Sequence, residues 1–543
     1  MSGRAPNAAR ASPWASWRRR AEPSAGGLRV PAWLLAALLA AIYLAVDPPS
    51  ADLAAQTYRT AVFEHAGFVV WDNGWYAGHH NPAYSILFPP LAAWTSPQLV
   101  GAVAAVVAAW AFERTVDGMR GARPAALWFA TVTMVSLVTG RLTFALGLAL
   151  ALLAVLALAR DRPAWCAVAG AASALASPVA AAFLALAIVA WGVTRRRWLT
   201  TAGLLAAALV PALALSVLFP EGGSFPFTAS AFWPTLAGTA LVIAVLWRSA
   251  PPALRLGFAL YAVLLLVSEV LSTPMGGNAV RLGALLAGPL AALVLWPDRR
   301  RALALLVLPL LYWQVSTPVD DVWRAQGDAS VHASYYDGML GFLTARRAAE
   351  GPFRAEIPFT DNHWESARVA PTIPLARGWE RQLDRKVNGL FYDGRPLTPA
   401  RYRRWLDDNA VHYVALADAP VDYSAAAEAK LVRDGTLPYL HEVWHDAHWR
   451  VFAVDRPAAL AAGPGGARVT GLAADRVDLV APRPGTVALR VRYSPYWHIT
   501  RGRGCVVKDG DWTALRLTAA GRVRISAGFA LDRVGATTPR CAT

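Results

Sequence analysis

The residues best suited to chemistry in this chain of 543 residues sit in polar stretches between apolar blocks. In ADLAAQTYRTAVFEH, Asp52, Gln56 and Arg59 recur at i, i+4 and i+7. That spacing puts them on one face of a helix that starts after Pro49, with Ser50 as its N-cap. A carboxylate on a first turn can take a proton, and a guanidinium on the same face can hold an anion. The next stretch, WDNGWYAGHHNP, gathers Asp72, Trp75, Tyr76, His79, His80 and Asn81 around two glycines. This composition suits a rigid loop lining a polar cavity. Adjacent histidines are poor ligands for a single ion, since helical ligand pairs are spaced i, i+3 or i+4, and no metal ligand is assigned. Further on, SEVLSTPMGGNAVRL supplies Glu269, Asn278 and Arg281. Asn and Arg at the head of a helix suit a phosphate, and the plainer alternative is an arginine that snorkels to a membrane surface. Any one of these groups alone would be read as a helix cap or a solvated loop residue. Their concentration in a single long loop is what points to a site.

The elements that must hold these residues are apolar. Hydrophobic residues make up 56% of the chain and charged ones only 16%, which excludes an ordinary soluble enzyme. Eleven Ala/Leu/Val blocks between Val30 and Val315 read as membrane spans, so the expected fold is a polytopic α-helical membrane protein with about eleven spans. The net charge of +16 is concentrated in short loops: Arg18–Arg20, Arg114/Arg120/Arg123, Arg160/Arg162, Arg195–Arg197, Arg248/Arg255 and Arg299–Arg301. No basic stripe with interleaved aromatics is present on a soluble part, so nucleic acid is not expected as a partner. The clusters instead set orientation: the tail 1–28 is expected in the cytoplasm and everything after Thr317 outside it, at the plasma membrane. The loops of the other face hold only Arg59, Arg141 and Arg281 as basic residues. Within the membrane part, 29–316, the long first outer loop is 47–97.

After Thr317 the composition becomes globular. Segment 317–460 alternates helix-like and strand-like stretches and reads as an extracytoplasmic α/β domain. Its TDNHWES and LARGWERQLD stretches carry Trp364, Trp379 and Arg381, which suit either sugar contact or packing onto the membrane part. Segment 467–543 alternates with period two, as at Val487, Leu489, Val491 and Tyr493, and reads as a small β-sandwich. An oxidising compartment permits Cys505 and Cys541 to staple it, with Cys166 left as a small core residue.

The layout of spans, a long first outer loop opened by Asp52, and a C-terminal extracytoplasmic region resembles the GT-C superfamily of membrane glycosyltransferases. The terminal sandwich is similar to that of YfhO-type membrane proteins. The resemblance implies a sugar donor carried on a polyprenyl phosphate and an acceptor that is an envelope glycan, lipid or protein. It also implies Asp52 as the catalytic base or a support for a divalent cation. The first outer loop holds no Asp-Asp or Asp-x-Asp pair, which leaves metal dependence open. Arg59 and Arg281 are the candidates for the leaving phosphate. Trp75, His79, His80 and Asn81 would form the sugar wall, with Gln56, Asp72, Glu269 and Asn278 as further contacts. The rival class is a non-catalytic membrane protein, a transporter or an envelope-assembly scaffold. A transporter should show broken helices or paired intramembrane charges in both halves, and little beyond Glu269 qualifies.

Overall fold

The computed structural model describes residues 30–541. The tail 1–28 lies outside them. Each apolar block forms a helix, and two helices from the first outer loop join them: α1 (Ala32–Val46), α2 (Ala51–Ala66), α3 (Phe88–Trp94), α4 (Pro97–Val116), α5 (Ala122–Val138), α6 (Leu142–Ala159), α7 (Pro163–Ala176), α8 (Pro178–Arg195), α9 (Trp198–Leu218), α10 (Ala229–Leu246), α11 (Pro252–Val270), α12 (Val280–Leu295) and α13 (Arg300–Ala325). Among the described residues eight of these are long and apolar enough to cross a bilayer, or nine if α1 and α2 count as one broken span. The expectation of about eleven spans is corrected to that extent. Helices α5 and α7 have 17 and 14 residues, about 25 and 21 Å at 1.5 Å per residue, against a hydrocarbon core about 30 Å thick.

Start signals in the sequence explain several boundaries. Helices α4, α7, α8 and α11 each carry Pro in the first turn, where the missing N–H costs nothing. Ser96 and Ser177 cap α4 and α8 through their hydroxyls. Helix α1 presents Ala32, Ala36, Ala40 and Tyr43 inward, and the small side chains let it approach Ala109 of α4 and Ala126 and Ala130 of α5 closely. Glu113 accepts from the first backbone amides of α1, Ala32 and Trp33, at 3.1 and 3.2 Å. The chain then turns by 79° into α2.

From α4 to α13 successive spans are joined by short loops, so the arginine clusters from Arg114 to Arg301 gather at one end of the bundle. There Arg120–Asp298 (2.8 Å) and Arg197–Asp161 (2.7 Å) tie neighbouring loops together. The opposite end carries α2, α3 and the whole region after α13.

That region begins with α14 (Asp337–Glu350) and a mixed four-stranded sheet in the order β1-β2-β4-β3. Its strands are β1 (Arg354–Glu356), β2 (Val411–Ala417), β3 (Leu440–His445) and β4 (Trp449–Val454); β1 and β2 are parallel and the other pairs antiparallel. Short helices α15 (Glu365–Arg368), α16 (Arg381–Val387), α17 (Pro399–Asp408) and α18 (Ala426–Arg433) complete this part. Two further sheets pack face to face. The first has five strands: β13 (Arg540–Cys541), β10 (Gly504–Asp509), β11 (Trp512–Leu517), β8 (Gly485–Arg492) and β5 (Ala461–Ala462). The second has four: β6 (Arg468–Ala473), β7 (Arg476–Ala481), β12 (Gly521–Ala527) and β9 (Trp497–Arg501). Val487, Leu489 and Val491 face Val477, Leu479, Val523 and Ile525 in one buried core, as period-two alternation requires. Cys505 and Cys541 are bonded across β10 and β13, and Cys166 is free and buried.

Candidate functional site

Where α2 meets the outward-turned ends of α5, α6, α10, α12 and α13, a cavity of about 850 Å³ opens beneath the α/β part. Its floor includes Asp52, Arg59, Tyr84, Arg141, Asn278 and Arg281, and its roof includes Asp361, His363, Trp379, Arg381, Asp422 and Tyr423. Sequence spacing placed Asp52 and Arg59 on one face of α2, and both do face this space. Arg141 follows the tight turn between α5 and α6. Gly140 is essential to that turn: its φ is +68°, and a Cβ there would come within 2.4 Å of the Leu53 backbone. Asn278 stands in the turn before α12 and donates to the Pro274 carbonyl at 3.1 Å. Gly276 lets that turn meet the Phe225 carbonyl of the loop between α9 and α10, which forms the lip.

The charges of the cavity are almost all paired. Arg141 donates to Asp52 Oδ2 at 3.2 Å. Arg59 is bound to Glu380 at 2.7 Å and lies over Tyr84 at 3.8 Å. Arg324 pairs with Asp321, and Arg381 meets Asp422 at 2.7 Å. Arg281 is different. Among the described residues it makes no hydrogen bond or ion pair; its guanidinium lies over the Phe144 ring at 5.3 Å, with Asp52 near enough to attract it and Arg141 to repel it. A cation held this way, between an aromatic wall and a polar cavity, is placed to receive an anion.

The roof is rigid. His363 stacks on Trp379 at 3.5 Å, with its Nε2 3.5 Å from Asp422 and its Nδ1 3.7 Å from Glu365. Burial opposes protonation of His363, but the two carboxylates outweigh it and raise its pKa. Burial likewise works against ionisation of Asp422, and His363 and Arg381 overcome it and hold this carboxyl well below its ordinary range. Behind the roof, buried Arg377 joins Asp384 at 2.7 Å and Glu428 at 3.2 Å. Burial pushes the Glu428 carboxyl up to about 7 despite Arg377.

The WDNGWYAGHHNP loop does something other than line this cavity. Asp72, Trp75, His79, His80 and Asn81 lie outside its wall, which corrects the sequence expectation of a sugar-contacting loop. Asp72 accepts from the Tyr58 hydroxyl at 2.7 Å and the Gly74 amide at 2.9 Å, and its backbone pairs with that of His79. Trp75 stacks on Tyr58 at 4.1 Å and donates to the Ser366 carbonyl at 3.2 Å. Tyr76 accepts from the Glu380 amide at 2.8 Å. His80 Nδ1 is 2.8 Å from Glu221, and its Nε2 is 3.0 Å from the Ser494 hydroxyl. Asn73 donates to Ala473 at 2.8 Å. The loop is therefore a joint, buried among α2, the α/β part and the sandwich. Its rings fill volume and most of its polar groups find partners, although His79 Nδ1 makes no hydrogen bond. A similar reason governs Gly378, where a Cβ would meet the Trp75 ring at 2.2 Å.

Of the other expected contacts, Gln56 is buried beside the cavity with its amide 3.4 Å from the Tyr84 hydroxyl, and Glu269 is exposed at the end of α11, away from the cavity wall. Trp364 is core, whereas Trp379 and Arg381 line the roof. Arg141, Tyr84, His363 and Asp422 were not singled out from sequence as site residues. A signal for Arg141 existed: it is one of three basic residues in the loops of that face, and all three line the cavity. Among the described residues no three His, Cys, Asp or Glu side chains converge as metal ligands, and no step below is routed through an ion.

No family model matches the chain, and neither does any curated protein. Among solved structures, it is similar to the arabinofuranosyltransferase AftD from Mycobacteria, with a TM-score of 0.45 and 15% identity over 94% of this chain and 61% of that one. It is also similar to ArnT from Cupriavidus metallidurans in the apo state, with a TM-score of 0.42 and 13% identity over 77% of this chain and 97% of that one. The chain thus spans 61% of the length of AftD. Likenesses this distant carry no functional argument, and the reading below rests on the cavity.

Proposed function

We propose that this protein is a GT-C-like glycosyltransferase that moves a sugar from a polyprenyl-phosphate donor to an envelope acceptor at the outer face of the plasma membrane. The observation that carries the reading is the pairing pattern in the cavity: among the described residues Arg281 has no carboxylate of its own, and it stands beside Asp52, at the membrane end of a polar space. A lipid phosphate would enter from the membrane, lie against Arg281 and be assisted by Arg141. Asp52 Oδ2 is engaged by Arg141, and its Oδ1 has no hydrogen-bond partner among the described residues. An acceptor hydroxyl donating to Oδ1 would give up its proton there as its oxygen bonds to the sugar C1. The bond from C1 to the phosphate oxygen breaks, and the lipid phosphate leaves with the bonding electrons toward the two guanidiniums. Trp379, Tyr423 and Arg381 offer stacking and hydrogen bonds to a saccharide from above. The orientation rests on the arginine-rich loops, which mark the opposite end of the bundle as cytoplasmic.

The test is the profile of lipid-linked sugars in cells lacking the gene and complemented with variants. Asp52→Asn preserves shape but cannot act as base. It should fold and still bind donor while turnover falls by about 10²–10⁴-fold, so that the lipid-linked donor accumulates. Full complementation by Asp52→Asn would remove the base from the mechanism. An unaltered lipid profile in the deletion itself would favour a transporter or scaffold.

A further inference from the structure

The sandwich keeps its acids away from one of its ends. Between Ala467 and Cys541 it has thirteen basic and five acidic residues. Strand register sorts them. Gly521 pairs with Ala481, Arg524 with Arg501, Gly504 with Leu517 and Leu517 with Gly485. The turns 482–484, 502–503 and 518–520 therefore meet at one tip, together with the start of β6. That tip holds Arg468, Arg483, Arg501, Arg503, Arg516 and Arg522. All six are exposed, none has an ion-pair partner among the described residues, and no acid occurs in the turns that form the tip. Arg468 and Arg522 face the same partner, Val480, from either side of β7, so they stand about 10 Å apart at 4.7–4.9 Å per strand. The acids lie elsewhere: Asp475 and Asp511 in turns, Asp509 at the end of β10 and Asp532 in a short 3-10 helix are all toward the other tip, and Asp478 is paired with Arg476 and Arg524 on the face of β7.

The tip that holds the acids, with Arg492, Lys508 and Arg533 beside them, is the docked one. Ala473 and Ala474 accept from Asn73, the Arg492 amide donates to the Ala77 carbonyl, and the Tyr496 hydroxyl donates to Leu218 at the end of α9 at 2.5 Å. The arginine tip consequently points away from the membrane helices. Six guanidiniums at one tip with no acid among them repel one another, which a fold tolerates at its surface and which a polyanion relieves.

We propose that the arginine tip is a docking surface for an anionic polysaccharide of the cell envelope, held by several carboxylate or phosphate groups at once. A bilayer is the less suited occupant, because the tip is at the far end from the helices that enter one. The proposal does not depend on the transferase reading, since no tip residue lines the cavity.

The experiment uses the full chain in neutral detergent and polygalacturonate as the probe, with dextran as the uncharged control. Wild type should bind polygalacturonate and not dextran, and binding should fade as salt rises, because the contacts are exposed. The triple variant Arg483→Gln, Arg503→Gln and Arg522→Gln should bind about tenfold or more weakly with an unchanged melting temperature. Arg160→Gln, Arg162→Gln and Arg299→Gln, which remove the same charge at the opposite end of the molecule, should leave binding intact. Equal binding by the tip variant, or no binding by wild type at low salt, would overturn the proposal. So would tighter capture of phosphatidylglycerol vesicles that is lost in the tip variant, which would make the tip a lipid contact.

Discussion

Arg59 and Arg281 are alike in the sequence, each a lone arginine on the sparsely charged face of the membrane part, yet they occupy opposite electrostatic states. Arg59 is buried and neutralised by Glu380, so its removal strands a carboxylate; Arg281 is half-buried against an aromatic ring with its charge uncommitted among the described residues. Arg59→Gln should therefore destabilise the protein by about 3 kcal/mol, read as a lower melting temperature in detergent. Arg281→Ala should melt normally and instead raise the concentration of polyprenyl-phosphate donor needed for half-maximal turnover, because its partner is charged before and during reaction. If the two variants exchanged phenotypes, the assignment of Arg281 to the phosphate would fall. The aromatic residues follow the same logic: Trp75 and Trp379 are both tryptophans that directly follow a glycine, but only Trp379 faces the cavity.

The elements that form the roof are α16 and the turns 360–364 and 420–424, and they are held from behind by Arg377. Burial disfavours the charge on Arg377, but Asp384 and Glu428 more than compensate, so it stays charged between them. Arg377→Ala should cost about 3–5 kcal/mol and loosen the roof, seen as faster proteolysis between 377 and 430. His363 adds a pH dependence. Its folded-state pKa is raised, so its contribution is fully present below about pH 6.5, the ordinary histidine value, and is lost as pH rises through the folded value. The melting-temperature advantage of wild type over His363→Gln should be constant from pH 5 to 6 and shrink on the alkaline side. A constant advantage up to pH 9 would mean that the imidazole acts only by stacking on Trp379.

For the molecule as a whole, the joint made by residues 71–80 explains how one chain keeps three parts in register. Its buried rings and hydrogen-bonded groups contact α2, the α/β part and the sandwich together, so none of the three can rotate without uncovering Trp71 or Trp75. Orientation in the membrane is then a property of the entire body. Ser334→Cys should react with an impermeant thiol reagent on intact cells stripped of outer barriers, and Arg248→Cys should not. Native Cys166 is buried, and Cys505 and Cys541 are bonded, so the background is low. The reverse pattern would put the cavity on the cytoplasmic side and exclude a donor presented outside.

Periodicity and charge are local properties, and they were sufficient to place most helices, the arginine-rich loops, two strands and a hairpin turn of the C-terminal sheets and the face that Asp52 shares with Arg59. They also isolated Arg59, Arg141 and Arg281 as the basic residues of one face, because an arginine at a helix end is conspicuous wherever its neighbours are apolar. Partner choice was not legible. Arg59 and Glu380 are separated by 321 positions, and nothing in either segment announces the other. The WDNGWYAGHHNP loop was read as a cavity wall because tryptophan, histidine and asparagine serve equally well in a sugar site and in a tight joint. What separates the two uses is whether neighbouring chain fills the space beside the rings, and that is decided by packing between segments hundreds of residues apart.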